Sequence, residues 1–122
     1  MGGFWVILIV AVLLWLTLAV SWASHRTAES KGLTLLLSNL TAEQRYQYQT
    51  FGYFDALGSV TGKLYRIYQG KSRNVIELGS HRVAPGRCFM PQGDLVEGDC
   101  MLAQKIAIEN YEEEVLKKAL PF

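Results

Sequence analysis

The fold turns on Gly52–Leu78, GYFDALGSVTGKLYRIYQGKSRNVIEL. Three short runs of strand-type residues lie there, separated by turn-type residues. Gly52–Leu57 (GYFDAL) is the first, and Gly58–Gly62 turns the chain behind it. Lys63–Tyr68 (KLYRIY) alternates, so Leu64, Arg66 and Tyr68 fall on one face of a strand and Lys63, Tyr65 and Ile67 on the other. Gln69-Gly70-Lys71 turns the chain again, and Asn74–Leu78 (NVIEL) is the third run. A fourth strand is expected from His81–Val83 and Arg87–Met90, with Pro85-Gly86 between them, an interruption that suits an edge or a kink. Runs this short, joined this tightly, predict an antiparallel meander.

Helices are expected on both sides of it. Thr41-Ala42-Glu43-Gln44 has the spacing of a capping box, which predicts a helix from there to about Thr50. Downstream, Pro91–Gly98 reads as a loop and Asp99 as the N-cap of a last helix from Cys100 to about Leu120. Met101, Leu102, Ile106, Ile108, Val115, Leu116 and Ala119 give that helix its apolar side, and Pro121 stops it.

The N-terminal end has a different composition. Phe4–Val20 reads FWVILIVAVLLWLTLAV, 17 residues without a charge and with one hydroxyl, Thr17. A run of this kind crosses a bilayer as a helix. Trp5 and Trp22 would stand roughly 25 Å apart at a helical rise, matching the two interfacial aromatic belts. His25 and Arg26 follow at the membrane edge. A cleaved secretory signal is the rival reading, since Ser21-Trp22-Ala23 loosely fits a small-x-small cleavage site. No Lys or Arg precedes the apolar run, so an uncleaved anchor is the expectation. Arg26 and Lys31 after the span place the N-terminus outside and the remainder in the cytoplasm of a bacterial inner membrane, with a periplasmic module as the alternative. Trp15 sits mid-span, exposed to lipid or in contact with a partner's helix, a pigment or a bound lipid. The span carries no ionisable residue, which argues against ion conduction. The expected organisation is therefore α+β: a single transmembrane helix over 1–24, a juxtamembrane linker and apolar segment over 25–40, and a small module over 41–122 made of a helix, a four-stranded antiparallel meander and a C-terminal helix. Ser24–Gly32 reads as an interfacial helix extension or a linker, and the apolar cluster Leu33–Leu40 lies on the membrane surface or seeds the module's core. A fully soluble protein, a multi-span transporter and a disordered chain are excluded.

Net charge is only +1 over 122 residues, but it is polarised. Lys63, Arg66, Lys71, Arg73, Arg82 and Arg87 face Glu77 alone between Ala56 and Met90, while seven acids face three lysines from Pro91 onward. The two regions either neutralise each other or leave a basic docking face for lipid headgroups or an acidic partner. Tyr65, Arg66 and Tyr68 on a basic strand resemble a stacking platform for single-stranded nucleic acid, but near-zero net charge and membrane tethering disfavour that partner. Cys88 and Cys100 are the only cysteines. They read as two small buried side chains, or as a disulfide if the module were periplasmic. A metal site with His81 lacks a fourth ligand. The contiguous Glu112, Glu113 and Glu114 read as a solvated helix face. No nucleophile motif, phosphate loop or cofactor fingerprint is present, so neither catalytic residues nor a cofactor is expected.

Four segments together resemble a small uncharacterised bacterial and phage or mobile-element family: LLLSNLTAEQRYQY, GYFDALGSVTGKLYRI, NVIEL and CFMPQGDLVEGDCMLAQKIAIENYEEEVLKKA. The resemblance runs from about Leu35 to Ala119. Its most specific part is Cys-x-x-Pro followed by Asp-x-Met-Leu-Ala-Gln-Lys, here Cys88 to Pro91 and Asp99 to Lys105. It implies a compact α+β module of unknown function, here attached to a membrane helix, and no catalytic role. The function expected is that of a non-catalytic accessory or assembly subunit of a larger membrane complex, respiratory or photosynthetic complexes being possible hosts. A phage or mobile-element membrane protein that binds virion components, nucleic acid or a host factor is the alternative.

Overall fold

The computed structural model describes residues 2–122, the His25 side chain excepted. Helix α1 runs unbroken over Gly2–Asn39, about 57 Å at the α-helical rise. Helix α2 (Ala42–Phe51) follows after a two-residue break. Strands β1 (Tyr53–Leu57), β2 (Leu64–Tyr68), β3 (Val75–Glu77) and β4 (Gly86–Cys88) precede helix α3 (Glu97–Lys118), and β5 (Leu120–Pro121) ends the chain. The sheet order is β1-β2-β3-β4-β5, antiparallel at every pair.

The α+β architecture is thus as the sequence predicts, with one strand more. Beyond Pro121 the chain does not simply stop. Leu120 and Pro121 pair with Cys88 and Arg87, and Gly86 and Phe122 exchange backbone hydrogen bonds of 2.9 and 3.1 Å. A two-residue strand has no periodicity to read, so sequence patterning misses it.

Residues 2–24 lie in α1, which is long and apolar enough there to cross a membrane, and they are exposed throughout. Of the two readings of Ser24–Gly32, the structure has the helix extension and not the linker. Residues 25–39 continue the same helix, and Gly32, Leu36 and Leu40 are buried in the module. Small residues at the crossing permit this. A Cβ on Gly98 of α3 would lie 2.5 Å from the Gly32 carbonyl carbon and oxygen, so the two helices meet backbone to backbone. Ser24, Ala28 and Gly32 bring that face of α1 down to small side chains over the two turns leading to the contact.

The capping box forms as expected. The Gln44 N–H donates to Thr41 Oγ1 (3.2 Å), and the Thr41 N–H donates to Gln44 Oε1 (3.0 Å). Helix α3 starts two residues before the expected Asp99 cap, at Glu97, with Val96 as an N-cap that makes no side-chain bond.

Strand register explains the core. Phe54, Ile67 and Val75 are aligned across β1–β3, as are Ala56 and Tyr65 one pleat away. All five are buried, with Leu36, Leu40, Met101, Leu102 and Ile108 packed over them from α1 and α3. Both rows end in charge: Arg87 lies beside Val75, and Glu77 beside Tyr65. The inward face of the sheet therefore changes from apolar to ionic at its β3–β4 side.

Candidate functional site

Two surfaces result from this sheet, one per face. On the inward side, β2–β4 and the end of α3 enclose a cleft of about 510 Å³, lined among others by Lys63, Tyr65, Glu77, Arg82, Arg87 and Glu112. Two carboxylates are buried in its wall. Glu77 pairs with the half-exposed Lys63 (3.1 Å) and the buried Arg87 (3.3 Å), whose guanidinium also donates to the Ala84 and Gly86 carbonyls. Glu112 has no cation. Its Oε1 accepts from the Val60 and Thr61 N–H groups (2.8 and 2.7 Å), and its Oε2 from the Thr61 and Tyr65 hydroxyls (2.5 and 2.8 Å).

The loop Gly58–Thr61 reaches Glu112 because α3 breaks there. Tyr111 has non-helical dihedrals (φ −135°, ψ 35°). The helical bond from the Glu112 N–H to the Ile108 carbonyl is replaced on both sides by one residue: the Ser59 N–H donates to the Ile108 oxygen (3.1 Å), and the Glu112 N–H donates to Ser59 Oγ (3.3 Å). Insertion of a side chain into the helical ladder is a recognised cause of kinks. Gly58 lets the loop close, since a Cβ there would run into the Glu112 carboxylate.

The electrostatics follow. Burial opposes ionisation of Glu112, but the donors of Thr61, Tyr65 and Val60 outweigh it and hold the carboxyl below its usual range. Tyr65 moves the other way, its phenol pushed well up by burial and then by its hydrogen bond to the Glu112 carboxylate. Glu112 is therefore a structural clamp, which corrects the expected solvated face for one of its three glutamates; Glu113 and Glu114 are exposed.

The outward side is aromatic. Phe51 stacks on Tyr53 (centroids 5.5 Å), Tyr53 meets Tyr68 edge-on (5.6 Å), and Tyr46 meets Phe51 edge-on (6.3 Å). Arg66 lies over the Tyr53 ring at 3.9 Å and is fixed by a two-point pair with Asp55 (2.8 and 3.1 Å). The hydrogen bonds from Arg66 to Asp55 raise the guanidinium pKa further, so the charge is permanent. Gln47 holds Asp55 in turn, its Oε1 accepting from the Asp55 N–H (2.9 Å). Tyr46, Phe51 and Tyr68 remain largely open to solvent.

The structure divides the six cations expected to form one basic face. Lys71, Arg73 and Arg82 are exposed, whereas Lys63, Arg66 and Arg87 hold carboxylates, Arg87 at 4% exposure. Tyr65 is buried on one face of β2 while Arg66 and Tyr68 lie on the other, as the alternation predicts, so the three do not share a stacking platform. Cys88 is half-buried, Cys100 is buried, and both are free thiols. Burial pushes the Cys100 thiol up, against the pull of Lys71, and its Sγ lies 3.7 Å from the Leu95 carbonyl. Among the described residues no group of His, Cys, Asp and Glu is arranged to hold a metal. On α1, Trp5, Trp15 and Trp22 are exposed, and Arg26 stacks over the Trp22 ring at 4.7 Å. The His25 side chain lies outside the described residues.

Sequence reasoning passed over one further polar pair. Asn74 and Gln104 are buried and bond reciprocally through their amides (2.8 and 2.9 Å), while Asn74 also donates to the Tyr68 and Gly70 carbonyls. This ties the β2–β3 turn to α3. The chain matches no protein-family model, no curated protein and no solved structure.

Proposed function

We propose that this chain is a non-catalytic, single-pass accessory or assembly subunit of a larger membrane protein complex in a bacterial inner membrane, with its module in the cytoplasm. The aromatic face carries this reading. The exposed Tyr46, Phe51 and Tyr68 and the half-buried Tyr53 form one connected cluster around a fixed Arg66. Aromatic and arginine side chains are the ones that dominate binding energy at protein interfaces. Holding Arg66 and Tyr53 in place beforehand reduces the entropy that docking costs. The partner suited to this face presents apolar and acidic groups together, so that rings and guanidinium are both covered.

Helix α1 supports the same reading, because it is rigid from the span into the core. An anchor of this kind sets the height and angle of the module above the bilayer, which a flexible tether does not.

A photo-crosslinking amino acid at Tyr46 or Tyr68, in cells expressing the full chain, is expected to capture one integral membrane protein. Phe51→Ser with Tyr68→Ala should lower co-purification of that protein by about tenfold or more and leave the melting temperature of the module unchanged. Crosslinking at Arg73 as strong as at Tyr68, or co-purification that survives the double variant, overturns the proposal. Sidedness is read separately by labelling Ser72→Cys with a membrane-impermeant thiol reagent, which should require lysed cells.

A further inference from the structure

An open groove of about 830 Å³ runs between α1 and the underside of the module. Its floor is one face of α1, with Leu13, Leu16 and Val20 at the span end and Ser21 and Ser24 above them. Its upper wall is the loop before α3, Leu95 and Val96, and beside these stand Lys71 and Asp94. Val96 is pressed against Gly32, so the groove is closed at the module end. Lys71 and Asp94 are both exposed, and neither takes part in an ion pair among the described residues.

The order of these groups follows the depth of a bilayer. If α1 spans the membrane, Trp22 marks the interface. Leu13, Leu16 and Val20 then face hydrocarbon, Ser21 and Ser24 lie at the interface, and the two charges belong to the headgroup layer. A second transmembrane helix would have to continue past Trp22, where the loop at Leu95 and Val96 stands in its way. An acyl chain that ends in a headgroup does not have to pass. The charges also choose among headgroups: a cation and an anion lining one groove sum to zero, matching a phosphate next to an ammonium better than a purely anionic headgroup.

We infer that this groove binds one zwitterionic aminophospholipid. One acyl chain lies along Leu13, Leu16 and Val20, the phosphate meets Lys71, and the primary ammonium meets Asp94. The inference rests on the membrane-spanning reading of α1, and it assigns that helix a specific lipid where the accessory-subunit proposal assigns it only an anchor. A lipid wedged between span and module would fix the module's tilt on the membrane.

The test is native mass spectrometry of the full chain, purified in mild detergent and titrated with palmitoyl-oleoyl phosphatidylethanolamine or the corresponding phosphatidylglycerol. The wild type should retain one phosphatidylethanolamine about tenfold more tightly than phosphatidylglycerol. Leu16→Trp, which fills the groove from an exposed position, should abolish retention, whereas Leu18→Trp, also exposed but not lining the groove, should not. Asp94→Asn should erase the preference, and Lys71→Gln should weaken both lipids. Equal binding of the two lipids by the wild type, or equal effects of the two tryptophan variants, overturns the inference. A chain that leaves membranes without detergent refutes the spanning reading instead, so the two failures are told apart by fractionation.

Discussion

Helix α3 is fastened at both ends, by opposite means. At its start Gly98 meets Gly32 of α1 with nothing between the backbones. At its far end Glu112 is gripped by four donors from the β1–β2 loop and β2. One end is held by the absence of side chains, the other by a buried charge. The first kind of joint depends on shape and is insensitive to pH and salt. The second depends on a proton and on a break in the helix. The shape joint is also the one that couples the module to α1, so the crossing of α1 and α3 rests on no titrating group.

The largest effect is expected from Gly98→Leu. Backbone atoms of Gly32 and Leu33 surround the site where the new Cβ would go, so no flexible side chain can yield. The variant should lose at least about 3 kcal/mol, at or above the usual range for overpacking, and α1 should separate from α3. Thermal denaturation in detergent measures the loss. Gly98→Ala makes the comparison sharper: in a free helix this change is favourable by about 1 kcal/mol, so a destabilised Gly98→Ala protein isolates the clash.

Next comes Glu112→Ala, expected to cost about 3 kcal/mol, since it strands two backbone N–H groups and two hydroxyls in a buried site. Glu112→Gln should cost clearly less. Hydroxyls can turn from donating to accepting, so Thr61 and Tyr65 adapt to an amide while the remaining oxygen serves Val60 and Thr61. If both variants lose the same amount, charge rather than donor satisfaction is what holds this end.

The acid limb of stability tests the same joint. Glu112 has a lower pKa folded than unfolded, so its contribution is complete above the ordinary glutamate range and is lost as pH falls through the folded value. Melting temperatures from pH 7 down to pH 3 should therefore fall more steeply for the wild type than for Glu112→Gln, with the gap between the two curves closing below about pH 4.5. Gly98→Ala should run parallel to the wild type across that range.

These two joints also mark how far the sequence could be read. The capping box at Thr41–Gln44 and the alternation of Lys63–Tyr68 are local patterns found as read, and the apolar run of Phe4–Val20 lies in a helix long and apolar enough to cross a membrane. The continuity of α1 is only one of two readings of Ser24–Gly32, because that stretch is polar and small. Such composition suits a linker, and equally a helix that another backbone must approach closely. Glu112 was hidden for a different reason: the acceptor sits in a run of three glutamates, and its donors lie about 50 positions earlier in a glycine-rich loop. No periodicity links them. Opposite faces of β2 explain the outcome for Tyr65 and Arg66. Alternation put Tyr65 and Ile67 on one side and Arg66 and Tyr68 on the other, but it did not say that Tyr46, Phe51 and Tyr53 would gather around the second pair, since α2 and β1 had first to be placed.

Ser59→Ala should give the smallest change. Its hydroxyl accepts from the Glu112 N–H at 3.3 Å, a long bond, and its own N–H still reaches the Ile108 carbonyl in the variant. Only one of the two halves of the broken helical bond is therefore removed. The expected loss is about 1 kcal/mol, and the kink at Tyr111 should persist because Val60 and Thr61 continue to hold the carboxylate. Hydrogen exchange at the Glu112 amide distinguishes the outcomes. Faster exchange at that amide alone means the loop stays seated and the carboxylate is the joint. Faster exchange spreading from Ile108 to Leu116 means the inserted hydroxyl was bracing the bend, and the far end of α3 is then held by the helix break as much as by the buried charge.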